Sequence, residues 1–165
     1  MVALVAHGGE RFEWNRHALE LAQSSTDANA RGWQASLLND IGWDLHEAGR
    51  AEEALGYLKQ ALEVARAGGQ LERVFVARWM VARVQRTLGR LSEALAQQRA
   101  LEAEMMAANR PDGFVFEEIA ELLLAQGDKA ASRPYFARAW QLLSTDEGLK
   151  ADSPVRLERL KRLAQ

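Results

Sequence analysis

Three glycines set the scale of this chain. Gly49, Gly89 and Gly127 each follow a stretch of helical apolar periodicity and each precedes another such stretch, at intervals of 40 and 38 residues. A glycine just past the last periodic residue is the usual left-handed helix stop. Recurrence of helix, glycine and helix at such a period is the mark of stacked helical hairpins. One hairpin cannot bury its own apolar face, so several in a row imply a stack in which each supplies a wall for the next.

The periodicity predicts the elements. Trp33 to Ala48 carries Leu37, Leu38, Ile41 and Leu45, and Ala51 to Ala67 carries Ala54, Leu55, Leu58, Ala61, Leu62 and Ala65, stopped by Gly68 and Gly69. A third helix over Leu71 to Leu88 presents Val74, Ala77, Val81 and Val84, and its partner runs from Leu91 to Ala108. Pro111 bars continuation through Asn109 to Gly113, and Asp112 is placed to cap the next helix. Phe114 to Gln126 and Lys129 to Leu143 make the third pair, and Ser144 to Asp152 reads as a polar loop. Ser153-Pro154 opens a last helix by the cap-then-proline signature. At the other end, Met1 to Gly9 reads as a short apolar piece closed by Gly8 and Gly9, Glu10 to Gln23 as one helix, and Ser24 to Arg31 as a linker. No period-two strand pattern competes, so the expected class is all-α.

The residues at the crossings resemble those of tetratricopeptide repeats. That pattern has a large residue, two positions, Leu-Gly, two positions and an aromatic on the first helix, then Ala, three positions and an aromatic on the second. In the first repeat Leu38, Ile41, Gly42 and Leu45 precede Gly49, Ala54, Leu58 and Ala61. In the third, Phe116, Ile119, Ala120 and Leu123 precede Gly127, Ser132, Phe136 and Ala139. The second keeps Val81, Ala82, Gly89 and Ala94 but departs at Arg78, Gln85 and Gln98, where large residues are expected. The resemblance implies a right-handed α-solenoid in one domain. Residues 1–31 form a partial hairpin, 33–69, 71–109 and 112–144 the three repeats, and 153–165 a solvating end helix.

In that family the first helix of each hairpin lines a concave groove. Carried over, the lining is Ser36, Asn39, Trp43 and His46, then Val76, Trp79, Arg83 and Arg86, then Phe114, Glu117, Glu121 and Leu124. Aromatic anchors beside Arg suit a protein or peptide partner with an acidic group. Two readings stand side by side. Arg83 and Arg86 grip a ligand, or they pair with Glu117 and Glu121 of the next repeat. Likewise Trp43 and Trp79 either face a ligand or pack between first helices.

Composition narrows the alternatives. A formal charge of −2 gives no global attraction to nucleic acid or an anionic membrane, and there is no Cys for disulfide, thiolate or Cys-ligated metal chemistry. His7, His17 and His46 are scattered, with no metal-binding spacing. Glu117 and Glu121 share a helical face that could in principle do acid–base work, but such faces are ordinarily solvated or ion-paired. Arg156, Arg159, Lys161 and Arg162 form a basic end helix, read as solubilising rather than as a contact for membrane or nucleic acid. The expectation is a cytoplasmic, non-catalytic scaffold without metal or cofactor. The alternative is a module that homodimerises through apolar surface between Met1 and Leu21.

Overall fold

The computed structural model describes the backbone of residues 2–165 and side chains from residue 9 onward. Among the described residues all regular structure is α-helical. The helices are α1 (Val2–Ser24), α2 (Ala28–Gly32), α3 (Gln34–Glu47), α4 (Ala51–Ala67) and α5 (Leu71–Thr87), followed by α6 (Leu91–Ala107), α7 (Gly113–Ala125), α8 (Lys129–Leu143), α9 (Glu147–Asp152) and α10 (Pro154–Leu163). The chain divides into two compact units, Met1–Leu88 and Gly89–Gln165, a boundary that falls at the middle glycine of the 40-residue ruler. Within each unit consecutive helices pack on one another in antiparallel sequence, α3 on α4 and α4 on α5 in the first, α6 on α7 and α7 on α8 in the second. This is the arrangement of a helical repeat.

Backbone geometry at the corners explains the glycines. Gly49, Gly89 and Gly127 have φ of 78°, 75° and 87°, where an L side chain is strained, and Gly69 does the same at 64°. The corner after α6 turns on Asn109 at φ 53° instead. Asp112 caps α7 as its position predicts, accepting from the N–H groups of Phe114 and Val115. Ser153 precedes Pro154 at the start of α10, but its hydroxyl makes no capping bond.

Two stretches read as irregular hold short helices. Asp27 caps α2 through the N–H of Asn29, and Asp146 caps α9 through that of Leu149. A third difference is in α1, which runs unbroken through Gly8 and Gly9, so the expected stop there is overturned. The cost of glycine inside a helix is on the order of 1 kcal/mol per residue, small enough for a long helix to absorb. Pro134 likewise lies inside α8, sacrificing one main-chain hydrogen bond without ending the helix.

The core of the first unit gathers Leu38, Ile41, Leu45, Ala54, Leu55, Leu58, Ala61, Met80, Val81 and Val84, with Leu19 from α1. That of the second is built from Phe116, Ala120, Phe136, Ala139 and Leu143 with Leu157 and Leu160 from α10. The small residues mark the tightest crossings. A Cβ on Gly42 would lie 2.6 Å from Leu58 Cγ and 3.3 Å from the Ala54 carbonyl oxygen, and one on Gly113 would lie 2.7 Å from Leu143 Cγ. Ala54, Ala82, Ala94, Ala120 and Ala139 are fully buried. Gln85 and Gln98, which depart from the repeat pattern, are buried as well, so both polar side chains stand in core positions.

Because Leu58 is itself fully enclosed, bulk at Gly42 has nowhere to go. Gly42→Leu is expected to destabilise the protein by about 1–3 kcal/mol through overpacking, measured as a lower urea midpoint. Leu at Gly56, around which a Cβ meets open space, serves as the control.

Candidate partner-binding face

Helices α3 and α5 touch directly in the first unit. Each turns its core residues inward at helical spacing, Leu38, Ile41 and Leu45 on α3 and Ala77, Met80, Val81 and Val84 on α5. The same periodicity leaves Asn39, Trp43 and His46 as a stripe on α3, and Val76, Trp79, Arg83 and Arg86 as a stripe on α5. The structure brings the middle of the two stripes together.

At its centre the Arg83 guanidinium lies 5.4 Å from the Trp43 ring centroid and 5.3 Å from that of Trp79, so one cation is shared by an indole from each helix. His46 stacks at a tilt on Trp43, with ring centroids 5.7 Å apart. Its Nε2 is 2.8 Å from Thr87 Oγ1, which in turn reaches back 3.4 Å toward the Arg83 carbonyl oxygen. Nδ1 of His46 and Oδ1 of Asn39 are both buried atoms without a protein hydrogen-bond partner. Toward the other end of the face, Arg73 lies 5.6 Å from the Trp33 ring centroid and hydrogen-bonds the Gly32 carbonyl oxygen, joined there by Gln70 Nε2 at 3.2 Å. Trp33 and Val76 are 58% and 50% exposed, which leaves apolar surface accessible at this end.

Charge on α3 is sorted by side. Its acids meet α1: Arg11 pairs with Asp44 and with Glu47 at 3.3 Å, and Asn15 Nδ2 lies 3.5 Å from Asp44 Oδ2. Burial pushes the Asp40 carboxyl up, Asp44 adds to the rise, and Arg11 opposes it. The α5 stripe brings Arg83 and Arg86 toward His46. For His46, burial is the largest cause of a lowered pKa, followed by the positive charges of Arg83 and Arg86, against a smaller opposing effect of Glu47. Asn39, Trp43, His46, Trp79, Arg83 and Arg86 are thus all on one two-helix face that favours a neutral imidazole.

The third set of groove residues lies in the second unit and is engaged by α10. Arg156 Nε lies 2.9 Å and 3.1 Å from the two Glu117 oxygens, and Arg159 Nη2 lies 3.0 Å from Glu121 Oε2. Hydrogen bonding to Glu121 is the main cause of a raised Arg159 pKa. Arg156 also sits 5.1 Å from the Phe114 ring centroid. Two of the end-helix arginines read from the sequence as solubilising, Arg156 and Arg159, are therefore ion-pair partners. A matching signal was present in the sequence, arginines three apart on one helix and glutamates four apart on another, but nothing local says that those helices meet. Thr87 and the Trp33–Arg73 pair were likewise missed, since a helix-end Thr and a residue before a helix belong to no repeat position.

Among the described residues, no group of three or more His, Asp or Glu could hold a metal ion, and no helix is long and apolar enough to cross a membrane. No protein-family model, curated protein or solved structure matches the chain.

A depressed His46 pKa has a thermodynamic consequence. Above the ordinary histidine pKa of about 6.5 the ring is neutral in both states and has no effect on pH dependence. Below it the unfolded chain takes up the proton first, so stability falls with pH until the folded pKa is passed. His46→Gln should flatten the decline in thermal midpoint between about pH 6.5 and 5, and in NMR titration the His46 ring should protonate at lower pH than a free histidine. A His46 titration at or above the free value would contradict the assigned environment.

Proposed function

We propose that this chain is a non-catalytic, tetratricopeptide-like scaffold whose first-helix face, α3 with α5, holds an extended or helical peptide segment bearing an acidic group. The observation that carries this reading is the Trp43–Arg83–Trp79 stack. Two rigid aromatics hold a guanidinium between the helices, while Asp44 and Glu47 of α3 are engaged by Arg11 of α1. Aromatic rings offer large contact area at little entropic cost, and a planar guanidinium can take a carboxylate through two parallel hydrogen bonds. Exposed Trp33 and Val76 extend the face with apolar surface. The resemblance at Gly42, Ala54, Ala120 and Ala139 supports the family reading, in which such a face is the binding surface.

Selection from a displayed peptide library against the full chain tests it. Enriched sequences should combine aliphatic or aromatic residues with Asp or Glu. Trp43→Ala and Arg83→Ala should each weaken a selected peptide roughly tenfold or more, the loss expected at an interface anchor, while circular dichroism shows a retained helical fold. Binding that survives both substitutions would sink the assignment.

A second reading is self-association through α1. Trp14 and Leu21, two turns apart on that helix, are 74% and 58% exposed. The part of the expected dimer surface in residues 1–8 lies outside the described side chains. Light scattering should then give twice the monomer mass, and Trp14→Glu should return it to one. A monodisperse monomer at high concentration would remove this reading.

A further inference from the structure

We propose that α10 is a displaceable intramolecular ligand, and that the α7–α8 face beneath it is a binding site for a basic amphipathic helix carrying the pattern Arg-Leu-x-Arg-Leu. The segment from Arg156 reads RLERLKRL, three Arg-Leu pairs at intervals of three residues. Two of those pairs dock. Leu157 and Leu160 enter the cluster formed by Phe116, Phe136, Ala139 and Leu143. Arg156 spans both oxygens of Glu117, and Arg159 meets Glu121. The glutamates are on adjacent turns of α7, and with α10 docked on them their side chains are only 9% and 14% exposed, so the docked helix covers two carboxylates as well as an apolar floor. That is the complement of an arginine-leucine helix, with paired fork-shaped recognition at two points.

The attachment of α10 is lighter than its docking. It follows Ser153, which ends α9 and begins α10 in a non-helical conformation (φ −140°, ψ 47°) with no side-chain cap. Helix α9 has no buried residue, gives only the partly buried Leu149 to the cluster, and packs on α10. The α7–α8 hairpin, by contrast, has its own tight crossing, where a Cβ on Gly113 would lie 2.7 Å from Leu143 Cγ. Opening at Ser144–Asp146 would therefore free α9 and α10 together and leave the hairpin standing, with Glu117 and Glu121 in need of cations. A tethered helix competes at millimolar effective concentration. An external basic helix wins when its own affinity exceeds that or when the tethered helix is weakened.

The full chain carrying Arg156→Glu and Arg159→Glu, which turns α10 against its site, provides the test. The probe is a labelled synthetic peptide of residues 153–165, followed by fluorescence anisotropy. The variant should bind it at least tenfold more tightly than the unaltered chain, and adding Glu117→Lys and Glu121→Lys should abolish that gain. In the unaltered chain, native-state hydrogen exchange should show α10 amides opening at least tenfold more often than those of α7 and α8. Equal protection across the three helices, an unchanged peptide affinity, or loss of α7 and α8 protection in the variant would each overturn the proposal, because α10 would then be part of the hairpin's core.

Discussion

Both compact units depend on a leucine of one helix being allowed to press against the bare backbone of its neighbour. At Gly42 there is no room for even a methyl group before Leu58 is met, and at Gly113 the same holds against Leu143. That closeness lets the surrounding leucines and phenylalanines interdigitate at interior packing density. Everything else follows from it in order. The crossing sets how α3 and α4, or α7 and α8, lie on each other, and this fixes which stripe of α3 and of α7 remains for contacts with the next helix. The functional candidates, Trp43 and His46 in one unit and Glu117 and Glu121 in the other, are on those remaining stripes.

Arginine does different work in the two units. In the first, the Arg83 guanidinium lies against two aromatic rings, one from each of two helices, and the stack orients its fork. In the second, Arg156 and Arg159 are committed to glutamates that are mostly withdrawn from water, where an ion pair is held by its geometry and by the cost of leaving either partner alone. Arg138 combines both modes, lying 3.8 Å from the Phe116 ring centroid while donating at 3.0 Å to Glu102, whose other oxygen accepts from the Tyr135 hydroxyl at 3.2 Å. Through these contacts α6, which buries few residues of its own, is fastened to α7 and α8. The Tyr135 phenol is correspondingly pushed up, by burial first and by the Glu102 charge second.

Much of the helical architecture could be read from the chain because it is written locally. Four glycines with positive φ, one Asp cap and a 3.6-residue apolar rhythm locate α3 to α8 almost to the residue. What escaped was either too weak locally or not local at all. The Asp caps of α2 and α9 start helices too short to show a rhythm, and Gly8-Gly9 looked like a stop because glycine's preference says nothing about a long helix that can override it. In the site, the stripe of Asn39, Trp43 and His46 came from the groove positions that the tetratricopeptide resemblance implies. That Arg83 lies between two rings, that Thr87 meets the His46 ring, and that Glu117 and Glu121 are met by α10 all depend on which helix lands beside which. Repeat spacing predicts neighbours, but it does not assign side-chain partners.

The corner after α6 makes a broader point about this fold. There the left-handed turn is taken by Asn109, where the corners at Gly49, Gly69, Gly89 and Gly127 use glycine. The backbone demands a conformation, and more than one residue can supply it. The same tolerance extends along the helices, where a crossing needs something small and a core needs something apolar, yet neither needs a particular letter. A chain assembled under such loose spelling rules can change most of its text and still stack. Its ancestry is then better preserved in the distances between its corners than in the residues that stand at them.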